Sequence, residues 1–73
     1  MEKINKILAE TFKIPLEKTN ENCGMNDINN WDSLTHMNLI VNIEADFGIE
    51  LSGDDIAEMI TFDAIKSTVK KYL

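Results

Sequence analysis

The amino-acid sequence predicts a small all-α protein, a four-helix bundle with three longer helices and one short third helix. Its length of 73 residues is enough for one domain, residues 1–73, with a single hydrophobic core. Apolar residues recur at helical spacing near residues 2–13, 33–47, 54–60 and 62–72. No segment shows the apolar alternation typical of a strand, and no internal repeat occurs, so a helical bundle is favoured.

The first helix is predicted from Glu2 to Lys13. Pro15 disfavours helical backbone at the residue before it, so the helix should end near Lys13. Residues 15–32 have no apolar period and are rich in turn formers, which predicts a long loop. The apolar side chains expected to hold this loop on the core are Leu16, Met25 and Ile28.

The second helix should begin at an N-cap, either Asp32 or Ser33, and end at Gly48. Its apolar residues cover more than half of its circumference, which is wider than the stripe that a surface helix usually buries. One arc consists of Leu39, Ile40, Ile43 and Phe47, and a second arc beside it of Leu34, Met37 and Val41. Two interpretations remain open: the helix is central and buried on most sides, or the second arc contacts a partner.

Two further helices follow. Ser52 or Asp54 is the predicted N-cap of the short third helix, which includes Ile56. Thr61 or Asp63 is the predicted N-cap of the fourth, whose lysines lie near its end, where positive charge complements the helix dipole.

Charge is distributed unevenly along the chain, whose net charge is −6. Between Thr19 and Ile65 there are ten acidic residues and no basic one. Such a segment repels nucleic acid and anionic lipid, attracts basic protein surfaces, and favours a monomer. Cys23 is the single cysteine, which fits a reducing compartment. With no signal peptide and no apolar run of membrane-spanning length, we expect a cytoplasmic protein.

Catalytic and metal sites are disfavoured. Asp32, Ser33 and His36 have the residue types of a hydrolase triad, but Asp32 is poorly placed to orient His36, and no oxyanion hole is evident. A calcium loop from Asp27 would need glycine at Asp32 and glutamate at Asn38. One cysteine and one histidine cannot form a zinc site. The sequence therefore predicts no enzyme, no catalytic residue and no metal.

Ser33 remains as a candidate attachment point. A hydroxyl at the first turn of a helix can reach solvent, and the helix dipole favours a phosphate ester there. The alternative is that Ser33 is only an N-cap, which is the commonest role of such a serine.

The stretch "WDSLTHMNLIVNIEADFGIELS" resembles the second helix and following loop of acyl carrier proteins. The stretch "DDIAEMITFDAIKSTVKKYL" is similar to the third and fourth helices of that family, so the resemblance covers essentially the whole chain as one carrier domain. It implies that Ser33, flanked by Asp32 and Leu34, carries 4′-phosphopantetheine. It also implies three classes of partner: a phosphopantetheinyl transferase, an acyl- or aminoacyl-loading ligase, and a downstream acyltransferase or synthase.

The resemblance further implies that Asp32 helps to hold the transferase or its metal at the attachment site. The surface expected to contact partner enzymes consists of Leu34, Met37, Val41, Glu44 and Ile56.

The sequence departs from the family pattern around Ser33. Asn30 lies where glycine is frequent, and Trp31 where small or polar residues are common. Asn38, Asn42 and Ala45 make the second helix less acidic than in carriers of fatty acid synthesis, which favours a specialised pathway outside bulk fatty acid synthesis. The alternative function is an acidic helical adaptor in which Ser33 is unmodified.

Overall fold

The structure, a computed structural model, describes residues 2–73 and confirms the predicted all-α, four-helix fold. The helices are α1 (Glu2–Phe12), α2 (Ser33–Phe47), α3 (Gly53–Glu58) and α4 (Phe62–Tyr72). A 3₁₀ helix (Leu16–Asn20) lies between α1 and α2. The only extended pairing within residues 2–73 is an isolated bridge between Gly24 and Thr61.

The end of α1 lies one residue before the predicted Lys13. Lys13 has a left-handed backbone with φ 56°, and the N–H of Ile14 donates to the carbonyl oxygen of Ala9 at 3.1 Å. This left-handed turn is a common way to end a helix, because it satisfies a carbonyl that has no partner within the helix. It directs the chain into Pro15 and the 3₁₀ helix.

The loop before α2 differs from the prediction in two respects. Part of it is the ordered 3₁₀ helix, in which the Thr19 hydroxyl donates to the carbonyl oxygen of Leu16 at 2.6 Å. Thr19 is buried, whereas Leu16 is 50% exposed and Met25 is 37% exposed, so the prediction that these two hold the loop on the core is wrong. Ile28 is buried as predicted.

Backbone hydrogen bonds hold this loop instead. The N–H of Met25 donates to the carbonyl oxygen of Ile60 at 3.1 Å, and the N–H of Phe62 donates to that of Cys23 at 2.8 Å. Between them lies Gly24, where an added Cβ would come within 3.3 Å of the Ile60 carbonyl oxygen. Met25 is therefore fixed through its backbone, and its side chain is free to face solvent.

The core centres on three aromatic rings from three parts of the chain. The Phe12 ring of α1 lies 4.6 Å from that of Trp31 and 5.9 Å from that of Phe62, measured between centroids. Trp31, from the loop, is 5.8 Å from Phe62 of α4. The loop directly before Ser33 is therefore anchored in the core, which fixes where α2 begins.

The structure decides which of the candidate residues caps α3 and which caps α4. Ser52 caps α3, since its hydroxyl oxygen accepts the N–H of Asp55 at 3.1 Å. Thr61 caps α4 in the same way. The third helix ends at Glu58, two residues before the predicted end, and Met59 beyond it is fully buried.

Candidate functional site

Ser33 is the first residue of α2, and its side chain is exposed. The N-cap is Asp32, whose Oδ1 accepts the backbone N–H of Thr35 at 2.8 Å. This N–H is one of the four at a helix start that have no partner within the helix. Asp32 thus does the capping that the sequence could also have assigned to Ser33, so the cap does not account for the Ser33 hydroxyl.

The carboxylate of Asp32 is ionised beside this hydroxyl. Its hydrogen bonds from Thr35, first from the backbone N–H and then from the side chain, hold the pKa of Asp32 below its ordinary value. The start of α2 therefore presents one neutral hydroxyl and one fixed negative charge, and the helix dipole stabilises that charge.

The two arcs of α2 have opposite environments. Leu39, Ile40 and Ile43 are buried. The second arc faces solvent, which rules out the interpretation that α2 is buried on most sides. The side chains of Leu34, Met37 and Val41, which we call the exposed strip, are 72%, 50% and 57% exposed.

The exposed strip is almost uncharged. No Asp, Glu, Lys or Arg occurs from Ser33 to Ile43, and the exposed neighbours of the strip are Asn38, Asn42 and Ala45. Glu44, predicted as part of the partner surface, is half-buried, and its Oε2 accepts the backbone N–H of Leu51 at 2.9 Å. The carboxylates of Asp32 and Glu44 therefore both accept hydrogen bonds from backbone N–H groups of this chain.

Ile56, the predicted partner residue on α3, is half-buried and packs against the core. Its carbonyl oxygen lies 3.0 Å from Nε2 of His36, and Nδ1 of His36 lies 3.0 Å from the indole nitrogen of Trp31. Both ring nitrogens of His36 are thus engaged away from Ser33. In this arrangement neither ring nitrogen of His36 is free to accept a proton from a serine hydroxyl.

Sequence reasoning missed the contacts of His36 with Trp31 and Ile56. His36 is half-buried against Trp31. One signal could have indicated the contact with Trp31. The indole donor and the imidazole are five residues apart, on either side of the start of α2. Nothing local to the sequence indicated the second, because Ile56 is twenty residues away.

Within residues 2–73, no three His, Cys, Asp or Glu side chains come together as a potential metal site. The Asp27 carboxylate, considered above for a calcium loop, accepts the backbone N–H of Gly24 at 2.8 Å. The same residues include no helix with the length and apolar character needed to cross a bilayer.

Comparison with known proteins finds a relative that matches nearly the whole chain. A protein of Buchnera aphidicola subsp. Baizongia pistaciae (strain Bp), named acyl carrier protein, is 33% identical to this chain over 72 residues. The matched region covers 97% of this chain and 91% of that protein, so the two agree in length as well as in sequence. No family model matches the chain.

Proposed function

The chain belongs to the acyl carrier protein family, and on that premise we propose that Ser33 is the attachment point of 4′-phosphopantetheine. The observation that carries this proposal is that two adjacent residues at the start of α2 have different roles. Asp32 caps the helix, and Ser33 is exposed beside it with no capping role. The hydroxyl is therefore accessible to an enzyme, and its modification leaves the cap intact.

The surroundings of Ser33 fit a phosphodiester. The first-turn N–H groups and the dipole of a fifteen-residue helix favour negative charge at this end. Leu34, 72% exposed, projects into solvent beside Ser33, so bulky groups can approach. When bound, the prosthetic group supplies a terminal thiol that holds an acyl or aminoacyl group as a thioester. The chain itself catalyses no step.

The exposed strip is proposed as the surface that partner enzymes contact, together with Glu44 and Ile56. Leu34, Met37 and Val41 begin directly after Ser33, so an enzyme bound there has the attachment point within reach. The partners proposed are a phosphopantetheinyl transferase, a loading ligase for acyl or aminoacyl groups, and a downstream acyltransferase or synthase. Asp32, ionised beside Ser33, is proposed to help hold the transferase or its metal ion.

The composition of α2 supports a specialised pathway outside bulk fatty acid synthesis. Apolar side chains and the amides of Asn38 and Asn42 make up most of its exposed face. A basic partner surface would find few carboxylates to pair with there. A partner matched to this face would present apolar and neutral hydrogen-bonding groups.

The proposal is tested by intact mass spectrometry after incubation with coenzyme A and a broad-specificity phosphopantetheinyl transferase. We expect the wild type to gain the mass of a single prosthetic group and Ser33→Ala to gain none. Ser67→Ala is the matched control, because Ser67 is also an exposed helical serine, on α4. A gain that persists in Ser33→Ala contradicts the proposed site. No gain in the wild type favours the alternative, an acidic adaptor that uses the exposed strip with Ser33 unmodified.

A further inference from the structure

His36 connects three segments of the molecule: the loop before α2, the first turn of α2, and α3. Its ring lies in the first turn of α2, stacked on Trp31 of the preceding loop with centroids 6.1 Å apart and planes 20° apart. The indole nitrogen of Trp31 lies 3.0 Å from Nδ1, and the carbonyl oxygen of Ile56 in α3 lies 3.0 Å from Nε2. We call this arrangement the His36 bridge.

The chemistry of the two partners determines the protonation of the ring. An indole N–H can only donate a hydrogen bond, so Nδ1 must accept and carries no proton. A carbonyl oxygen can only accept, so Nε2 must carry the proton and donate. The His36 bridge therefore requires the neutral Nε2–H tautomer. A protonated ring would place a second donor against the donor of Trp31.

One end of the bridge is rigid. Trp31 is 5% exposed, and its ring packs against those of Phe12 and Phe62 at centroid distances of 4.6 and 5.8 Å. Because these three rings form the centre of the core, the position of the indole donor is fixed by packing. The donor in turn fixes the orientation of His36.

The other end of the bridge needs support. The third helix, α3, has six residues, and a helix of that length is not stable by itself in water. It is attached to the end of α4 through Asp55, which accepts hydrogen bonds from Lys71 and Tyr72. The bond from His36 to Ile56 attaches it to the first turn of α2, the turn that begins at Ser33.

We propose that His36 and Trp31 are positioning residues that hold α3 against the first turn of α2. The consequence, which rests on the proposed function, is that a partner enzyme meets the exposed strip and the Ile56 segment as one preformed surface. Without the His36 bridge, α3 would move relative to Ser33, and an enzyme that contacts both elements would have to order them on binding.

The tautomer provides the first test, independent of any enzyme. His36 is the single histidine of the chain, so its ring nitrogens can be assigned without ambiguity in a ¹⁵N NMR spectrum at neutral pH. We expect a protonated Nε2 and an unprotonated Nδ1. In Trp31→Phe, which keeps the aromatic ring but removes the indole donor, we expect a mixture of the two tautomers. A wild-type ring with the proton on Nδ1, or a mixture already in the wild type, overturns the proposal.

The position of α3 is tested by amide hydrogen exchange in two variants of His36. His36→Phe keeps a planar ring but neither hydrogen bond, whereas the amide of His36→Gln can accept from Trp31 and donate to Ile56. We expect faster exchange in α3 for His36→Phe, with α1 unchanged, and protection restored in His36→Gln. If α3 is equally protected in both variants and in the wild type, the bridge does not hold it. A His36→Phe protein that fails to fold leaves Trp31→Phe, in which α3 should also exchange faster; unchanged exchange there overturns the proposal.

The functional consequence is tested by the rate at which the transferase modifies Ser33 at low carrier concentration. We expect His36→Phe to be about tenfold slower, as befits the loss of one or two hydrogen bonds, and His36→Gln to lie within about threefold of the wild type. Equal rates for wild type and a folded His36→Phe overturn the positioning role. If the wild type is not modified at all, the proposed function fails, whereas the tautomer and exchange results still decide whether the bridge exists.

Discussion

The helices α1 and α2 pack in the same core but use their apolar residues differently. In α1, the apolar side chains at helical spacing, Ile4, Ile7, Leu8 and Phe12, are all buried, and packing alone explains their presence. In α2, packing explains only one arc, and the exposed strip remains in solvent. The exposed strip of α2 is therefore an apolar surface that core packing does not explain. It begins at Leu34, directly after Ser33.

The strongest test of this comparison uses two leucines of the same helix. Leu39 is fully buried, and Leu39→Ala should lower the free energy of unfolding by about 2 to 5 kcal/mol, because it leaves a cavity in the core. Leu34 is 72% exposed, and Leu34→Ala should change that free energy by no more than about 0.5 kcal/mol. Urea denaturation monitored by circular dichroism measures both values.

The two leucine variants are matched in residue type, helix and chemical change, so each is the control for the other. Similar losses would mean that the exposed strip packs against this chain in solution, and the contrast between the two arcs of α2 would no longer hold.

A smaller effect separates Asp32 from Ser33. Asp32→Ala removes the oxygen that accepts the Thr35 N–H and should cost about 1 kcal/mol of stability. Ser33→Ala removes a hydroxyl with no capping role, so stability should change by no more than about 0.5 kcal/mol. Thermal melting of the two variants checks the difference. A Ser33→Ala protein that loses as much as Asp32→Ala would indicate that the hydroxyl supports the fold after all.

Local signals in the sequence were sufficient for the four helices. Apolar spacing and a terminal glycine predicted α2 at its observed bounds, since Gly48 has the left-handed backbone, φ 65°, that ends a helix. The sequence could only narrow the cap of α2 to Asp32 or Ser33. Both residue types cap helices, and the sequence does not specify which of the two has the extended backbone of an N-cap. That ambiguity mattered, because the proposed role of Ser33 depends on which residue caps.

Contacts between distant residues could not be predicted. The loop before α2 was expected to be held by Leu16 and Met25, but backbone pairing of Met25 with Ile60 holds it instead. The contact between His36 and Ile56 was missed for the same reason, since the two residues are twenty positions apart in the sequence. Periodicity identifies which face of a helix is apolar, but it does not identify the polar atoms that meet across helices.

The comparison extends to α3, which is attached to α4 through the carboxylate of Asp55. Hydrogen bonds from Lys71 and then from Tyr72 lower the pKa of Asp55 from 3.8 to about 2. Since the folded protein favours the ionised carboxylate, this contribution is present above the unfolded pKa and is lost as the pH falls from about 4 towards 2. The difference in urea midpoint between the wild type and Asp55→Asn should therefore become smaller as the pH falls through that window. A constant difference would show that the contact does not favour the ionised form.

Met37→Glu is expected to change stability as little as Leu34→Ala but to slow the encounter with partner enzymes. Met37 is 50% exposed, so the added carboxylate stays in water and the free energy of unfolding should change by no more than about 0.5 kcal/mol. Within the exposed strip, however, the charge would have to be desolvated against an apolar partner surface. We expect modification of Ser33 by the transferase, and loading by an acyl ligase, to slow by about tenfold.

The control for Met37→Glu is Ser67→Glu, which adds the same charge at an exposed position of α4, on another helix. If both variants slow modification equally, net charge and not the exposed strip controls the encounter, and added salt should then restore both rates. If only Met37→Glu is slow and salt does not restore it, the loss comes from apolar contact at the strip. If neither variant differs from the wild type, Met37 lies outside the surface that the transferase contacts, and the apolar excess of α2 needs another explanation.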